Sequence, residues 1–222
     1  MIGFRILPRS SAASDVVSAF RELPTAAISD VMGRLFSGGP SLRPMHRSGV
    51  LCGTAVTVKT RPGDNLMVHR ALDIALPGDA VVVDGSGDLT NALIGELMAM
   101  YAKTRGLAGI VINGSIRDAG AIREMDFPVY AAGVTHRGPY KDGPGEINVP
   151  ISLDGMVINP GDLVLGDHDG IVCVAARDTN WVLQAAQKKV SAEMVDRRAI
   201  QDGCYDRKWI EEKLQKLGCP GL

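Results

Sequence analysis

The sequence predicts an α/β fold: a mixed β core, helices on its faces and a helical arm at the C-terminus. Three observations predict it. Two apolar runs, Asp79-Ala-Val-Val-Val-Asp84 and Ala108-Gly-Ile-Val-Ile-Asn113, each lead through a loop into a helical stretch. Both are apolar without alternation, as expected of strands covered on both faces. From Arg177 onward the pattern turns helical and much more charged.

Taken in order, residues around Ser14 to Arg21 and Thr25 to Leu35 read as two short helices. Pro24 stops the first, and Thr25 or Ser29 is placed to cap the second. A strand follows over 49–60, rich in β-branched residues and alternating from Ala55. His69 to Ala75 reads as a short helix ended by Pro77-Gly78. After the first apolar run come a glycine-containing loop and a helix from about Asn91 to Thr104. After the second come Gly114-Ser-Ile-Arg-Asp and a helix beginning near Ala119. Phe127 to Ala132 is a strand, and 139–148 is a loop rich in glycine and proline. Short strands then alternate with turn signals at Asp154-Gly, Asn159-Pro-Gly-Asp and Asp167-His-Asp-Gly. In the arm, Trp181, Val182, Ala185, Ala186, Val190 and Met194 mark one apolar stripe.

The 222 residues suit a single domain, with a core over about 45–176 and an arm over about 177–222. Hydrophobic residues at 45% and charged residues at 22% argue against disorder. A net charge of −1 leaves no basic footprint for nucleic acid. No apolar run approaches a membrane span, and the apolar stretch after Met1 is too short for a signal peptide. Cys52, Cys173, Cys204 and Cys219 form no Cys-x-x-Cys pair and read as free thiols. The expectation is a cytoplasmic protein that engages neither nucleic acid nor membrane.

Three constellations can carry chemistry. Gly85-Ser-Gly-Asp-Leu-Thr-Asn lies between a strand and a predicted helix start, where backbone N–H groups suit a carboxylate or phosphate. The equal alternative is a turn that needs glycine φ angles. A dinucleotide fingerprint is disfavoured, because Thr90 replaces its third glycine and the next strand ends in Asn113, not an acid. Arg117-Asp118 lies at the carboxyl end of a buried strand, where α/β proteins place ligands. A guanidinium clamps a 2-oxo acid carboxylate, and the adjacent carboxylate suits a hard cation such as Mg²⁺. Taken singly, Asp118 reads as a helix N-cap and Arg117 as a solvated loop residue. Glu96, with Leu93, Leu97 and Met100 at helical spacing, is either a helix-edge charge or a second carboxylate brought near that pair. His46, His69, His136 and His168 show no metal-ligand spacing, although His136 is a candidate to line a pocket. Lys59 alternates onto the face opposite the valines, which favours metal chemistry over an imine.

Glu96, twenty intervening residues and then Arg117-Asp118 resemble the acidic-x20-Arg-Asp signature of a known family. Its members are the 4-hydroxy-4-methyl-2-oxoglutarate and 4-carboxy-4-hydroxy-2-oxoadipate aldolases and the regulators of ribonuclease activity. The likeness runs through Leu23-Pro-Thr-Ala-Ala-Ile-Ser-Asp, Val81-Val-Val-Asp-Gly and Gly109-Ile-Val-Ile-Asn-Gly-Ser-Ile-Arg-Asp. It continues through Gly143-Pro-Gly-Glu-Ile-Asn-Val-Pro and Pro160-Gly-Asp-Leu-Val-Leu-Gly-Asp-His-Asp-Gly, and so covers nearly the whole chain. The resemblance implies a swivelling β/β/α core, like the phosphohistidine domain, in trimers or dimers of trimers. It implies that Asp118 binds Mg²⁺ or Mn²⁺ and that Arg117 grips the pyruvyl moiety. The substrate carboxylate would lie at Gly95, on the amides of Leu97 and Met98. The usual first acid is Asp, and here it is Glu96, one methylene longer. A glutamate from a neighbouring subunit's C-terminal helix also takes part, and Glu193 is the candidate, the alternative being a solvated charge. The implied reaction is retro-aldol cleavage of a 4-hydroxy-2-oxo acid to pyruvate and an oxo compound, with oxaloacetate decarboxylation by the same electron sink. The alternatives are a non-catalytic regulator that binds ribonuclease E, or a lyase with another substrate. About forty-five residues beyond the last strand favour the aldolases, since the regulators are shorter.

Overall fold

The structure, a computed structural model, describes residues 3–9, 14–36 and 38–221. Met1 and Ile2, with which the apolar N-terminus begins, lie outside the described residues. The elements in chain order begin with β1 (Phe4–Ile6), α1 (Ser14–Phe20), α2 (Thr25–Val31), β2 (Arg43–Pro44) and β3 (Leu51–Thr60). There follow α3 (Leu66–Ile74), β4 (Asp79–Ile94), α4 (Glu96–Thr104), β5 (Gly109–Ile116), α5 (Ala119–Glu124) and β6 (Val129–Val134). The chain then makes β7 (Gly145–Ile147), β8 (Ile151–Leu153), β9 (Met156–Ile158), β10 (Leu163–Gly166) and β11 (Ile171–Val174). It closes with α6 (Thr179–Gln201) and α7 (Lys208–Lys216).

The expected mixed α/β architecture, with N-terminal helices and a C-terminal helical arm, is what forms. The main sheet runs β1-β7-β3-β4-β5-β6-β2, with β10 and β11 added beside β3. Strands β3 to β6 pair in parallel, so each connection must cross over, and α3, α4 and α5 are those crossovers. Parallel strands with covered faces demand apolar residues on both sides, and β5 is buried along its whole length. Val81, Val83, Ile110 and Ile112 face α3, α4 and α5, while Val82 and Val111 face a cluster closed by β8 and β9. Asp154 and Gly155, both at positive φ, join those two strands as a two-residue hairpin turn. A third cluster packs α1, α2 and α6 over β10 and β11 through Phe20, Ile28, Leu165, Val174, Val182 and Ala186.

Four sequence expectations need correction. Asn91 does not begin a helix: β4 continues to Ile94, held against β5 through three register shifts, and α4 begins at Glu96. Ala92, Leu93 and Ile94 are buried strand residues, so the Leu93-Leu97-Met100 spacing marks no packed helix face; Leu97 is 72% exposed. The loop at 139–148 contains β7, which pairs with both β1 and β3. The arm's stripe buries Val182 and Ala186, but Trp181 and Met194 are exposed in the single chain. No helix among the described residues is long and apolar enough to cross a membrane.

Candidate active site

The carboxyl ends of β4 and β5 open into a cavity of about 350 Å³. On its first wall stand Ile94, Gly95, Leu97, Met98, Arg117 and Asp118. Strand register brings them together: Ile94 pairs with Ile116, and the amide of Arg117 donates to the Ile94 carbonyl at 3.0 Å. Each strand ends there, so each following residue meets the start of the next helix.

Asp118 occupies the N-cap position of α5 but caps nothing on that helix. Its backbone is left-handed (φ 55°, ψ 35°), a conformation that Asp tolerates better than most residues but that is rare outside glycine. Its Oδ2 instead accepts a hydrogen bond from the Glu96 amide at 3.1 Å, across to α4. The N-cap reading was therefore right about position and wrong about the helix being capped. Arg117 Nε lies 3.7 Å from the same Oδ2, too long for a hydrogen bond, and both side chains are nearly half exposed. Among the described residues the Arg117 guanidinium donates no hydrogen bond, which leaves its fork available to a ligand.

Gly95 makes the approach of these groups possible. A Cβ there would collide with Asp118 Oδ2 and stand 3.0 Å from Arg117 Cγ and 3.1 Å from its Nε. The backbone at Gly95 is extended, so the requirement is for space alone. The first bond of α4 runs from the Ala99 amide to the Gly95 carbonyl (3.1 Å), and Asp118 takes the Glu96 amide. The Leu97 and Met98 amides thus have no helical carbonyl to bond, and at the positive end of α4 they could receive an anion. The helix start that follows this strand therefore lies here, with its N-cap ten residues after Gly85. The Gly85 segment runs within β4, with Ser86 and Gly87 at positive φ where the strand bulges, so the turn alternative describes it better.

The second wall was not foreseen. It comprises Asn65, the N-cap of α3, and His69 within α3, with Gly138, Pro139 and Lys141 from the segment before β7. Asn65 is 2% exposed; its Nδ2 donates to the Leu93 carbonyl at 2.9 Å, and its Oδ1 has no partner among the described residues. Burial, and next the charge of Lys141, depress the pKa of His69 below the usual imidazole value, so it is neutral at pH 7. No spacing or strand-end rule pointed to these residues, because they reach the cavity from two distant loops. His136, two residues short of Gly138, is exposed and lines none of it.

Glu96 is exposed: its amide meets Asp118, but it is not among the residues that line the cavity. Glu193 does not meet them within one chain. It pairs with Lys189 at 2.9 Å, and Lys189 also holds Asp30 of α2 at 3.0 Å. Lys59 is exposed on β3 and absent from the cavity. Burial pushes the Cys52 thiol up to about 11 and that of Cys173 higher still, so neither supplies a thiolate. Among the described residues no three His, Cys, Asp or Glu side chains form a metal cluster. With Asp118 as the one carboxylate in the cavity's lining, the site would suit a hard cation that keeps most of its waters and would suit zinc poorly.

The chain is similar to several known proteins. A model of the RraA-like family, described as Aldolase/RraA, matches residues 25–173. A protein provisionally named 4-hydroxy-4-methyl-2-oxoglutarate aldolase, from Halalkalibacterium halodurans, is 40% identical over 205 residues, 92% of this chain and 98% of that one. An uncharacterised protein of Pseudomonas syringae superimposes with a TM-score of 0.78 at 26% identity, covering 87% of this chain and 96% of that one. An unusual member of the RNase ES inhibitor RraA family from Streptomyces coelicolor also gives 0.78 at 26% identity, covering 86% and 99%. The RNA-processing inhibitor RraA of Thermus gives 0.64 at 29% identity, covering 69% of this chain and 93% of that one.

Proposed function

The chain belongs to the RraA-like family, and from that premise we propose that it is a metal-dependent lyase cleaving a 4-hydroxy-2-oxo acid to pyruvate and a second oxo compound. The observation that carries this reading is one cavity holding a guanidinium, a carboxylate with a hard-cation donor set, and the unpaired amides of a helix start. A substrate of 4-hydroxy-4-methyl-2-oxoglutarate or 4-carboxy-4-hydroxy-2-oxoadipate type offers matching groups. Its C1 carboxylate would lie on the Leu97 and Met98 amides beside Gly95, and its 2-oxo oxygen would face Arg117. Asp118, with Glu96 beside it, would hold Mg²⁺ or Mn²⁺, which supplies Lewis acidity toward the 2-oxo and carboxylate oxygens when bound. Arg117 adds positive charge where the enolate develops. Glu96 relays the C4 hydroxyl proton through a water while the C3–C4 bond breaks and its electron pair passes to C3. Protonation of C3 then gives pyruvate. Oxaloacetate can lose carbon dioxide through the same enolate.

Glu193 enters this scheme from a neighbouring copy in a trimer or hexamer. Two features support that assembly. Among the described residues the distal half of α6 has no buried side chain, and Trp209 and Leu217, in and just beyond α7, are exposed. Asp118→Ala and Glu193→Ala oligomers should each be nearly inactive at native size. Mixed after mild dissociation, they should recover part of the wild-type activity, since some sites regain both carboxylates. Proven subunit exchange without recovery would remove Glu193 from the site.

The competing reading is a non-catalytic regulator of ribonuclease E. The RNA-processing inhibitor of Thermus covers 69% of this chain, but the Streptomyces member of the RNase ES inhibitor family covers 86% of it, so activity and not chain length separates the two readings. A pull-down with ribonuclease E beside a pyruvate-release assay separates the two. The lyase reading expects pyruvate and no capture, and the reverse outcome would replace it with the regulator.

A further inference from the structure

We infer that Asp64, a carboxylate outside the reacting groups, is a positioning residue that clasps together the two segments of the cavity's second wall. Asp64 is fully buried. Its Oδ1 accepts from the Leu66 amide at 3.0 Å. Its Oδ2 accepts from the amides of Asp142 and Gly143, both at 2.8 Å, and from Arg61 Nη2 at 3.0 Å. Burial alone would raise its pKa, but the three amides and Arg61 outweigh it and hold the carboxyl below the usual carboxylate value.

The segments so joined are the two that build the second wall. One leads into Asn65 and His69, and the other carries Gly138, Pro139 and Lys141. Two backbone bonds reinforce the join: the Asn65 amide to the Tyr140 carbonyl at 3.0 Å, and the Tyr140 amide to the Gly63 carbonyl at 2.8 Å. Arg61 also lies over the Tyr140 ring, 5.7 Å from its centroid. The far end of the segment reaches the reacting groups. A Cβ at Gly138 would sit 3.2 Å from Arg117 Nη1, and the Gly138 carbonyl accepts from Asn91 Nδ2 at 2.6 Å. A carboxylate is needed because one oxygen faces three donors at once. An Asn at this position would turn either an N–H toward those donors or a weaker, neutral oxygen.

The kinetic consequence rests on the lyase reading; the clasp itself does not. In Asp64→Asn, amide exchange at Asp142 and Gly143 should rise about tenfold or more while the β5 core amides keep their protection. KM for the pyruvate-yielding substrate should rise about tenfold with kcat within about threefold, because the wall that receives the substrate loosens while the reacting groups stay. Affinity for oxalate in the presence of Mg²⁺ should fall by a similar factor, a readout that needs no turnover. Arg61→Met, which leaves the three backbone donors in place, should show a smaller shift of the same kind and serves if Asp64→Asn does not fold. Unchanged exchange would overturn the clasp. Raised exchange with KM and oxalate affinity unchanged would reduce Asp64 to a stabilising residue. A wild-type chain that released no pyruvate would sink the lyase reading, and exchange with oxalate binding would still decide this one.

Discussion

Gly95→Ala should leave the fold intact and remove nearly all activity. The single methyl would enter the space now occupied by Asp118 Oδ2 and press on Arg117 Cγ and Nε, so both groups must move together. Its backbone is extended (φ −140°), so alanine meets no φ penalty there, and losing glycine from the N-cap of α4 costs stability without unfolding the protein. Displacing reacting groups by about 1 Å costs on the order of 10²-fold in rate. The same shift should weaken Mg²⁺ binding, measurable by calorimetry without substrate. A Gly95→Ala protein with wild-type kcat and Mg²⁺ affinity would place the chemistry elsewhere on the molecule.

Arg117→Ala is the complementary change, deleting a charge without crowding its neighbours. Loss of one preorganised electrostatic donor lowers kcat by roughly 10²–10³. Arg117→Lys should recover only part of this, because an ammonium cannot present the planar fork. Stability should barely change: the side chain is 46% exposed and its one ion pair, to Asp118, is long and solvated. Thermal melting beside steady-state kinetics makes the distinction. Melting lost in step with activity would make Arg117 structural.

The core and half of the site were legible in the sequence for the same reason. Continuous apolar runs identify parallel strands, and residues just past their carboxyl ends fall where ligands bind. Arg117 and Asp118 follow such a run directly. The error at Gly85 came from reading glycines as the end of a strand, whereas β4 bulges and carries on to Ile94, moving the helix start to Glu96. Leu93 and Leu97 happen to keep a helical spacing across that boundary, which concealed it. The second wall left no local signature. Asn65, His69 and Lys141 are brought together by Asp64 and by hydrogen bonds spanning more than seventy residues of sequence, which no periodicity encodes. The partial burial of the arm's stripe is equally invisible along the chain: α1 and α2 cover Val182 and Ala186, while among the described residues Trp181 and Met194 stay mostly exposed.

The most direct test of the whole account is pyruvate release by the purified protein from a set of 4-hydroxy-2-oxo acids and oxaloacetate, coupled to lactate dehydrogenase. It should be run with chelator, with Mg²⁺ or Mn²⁺ restored, and with borohydride. The account predicts turnover that chelator abolishes, that either cation restores, and that borohydride with pyruvate leaves untouched. Pyruvate release that survives chelation, or inactivation by borohydride, would contradict it by pointing to an imine on a lysine instead of a cation held at Asp118.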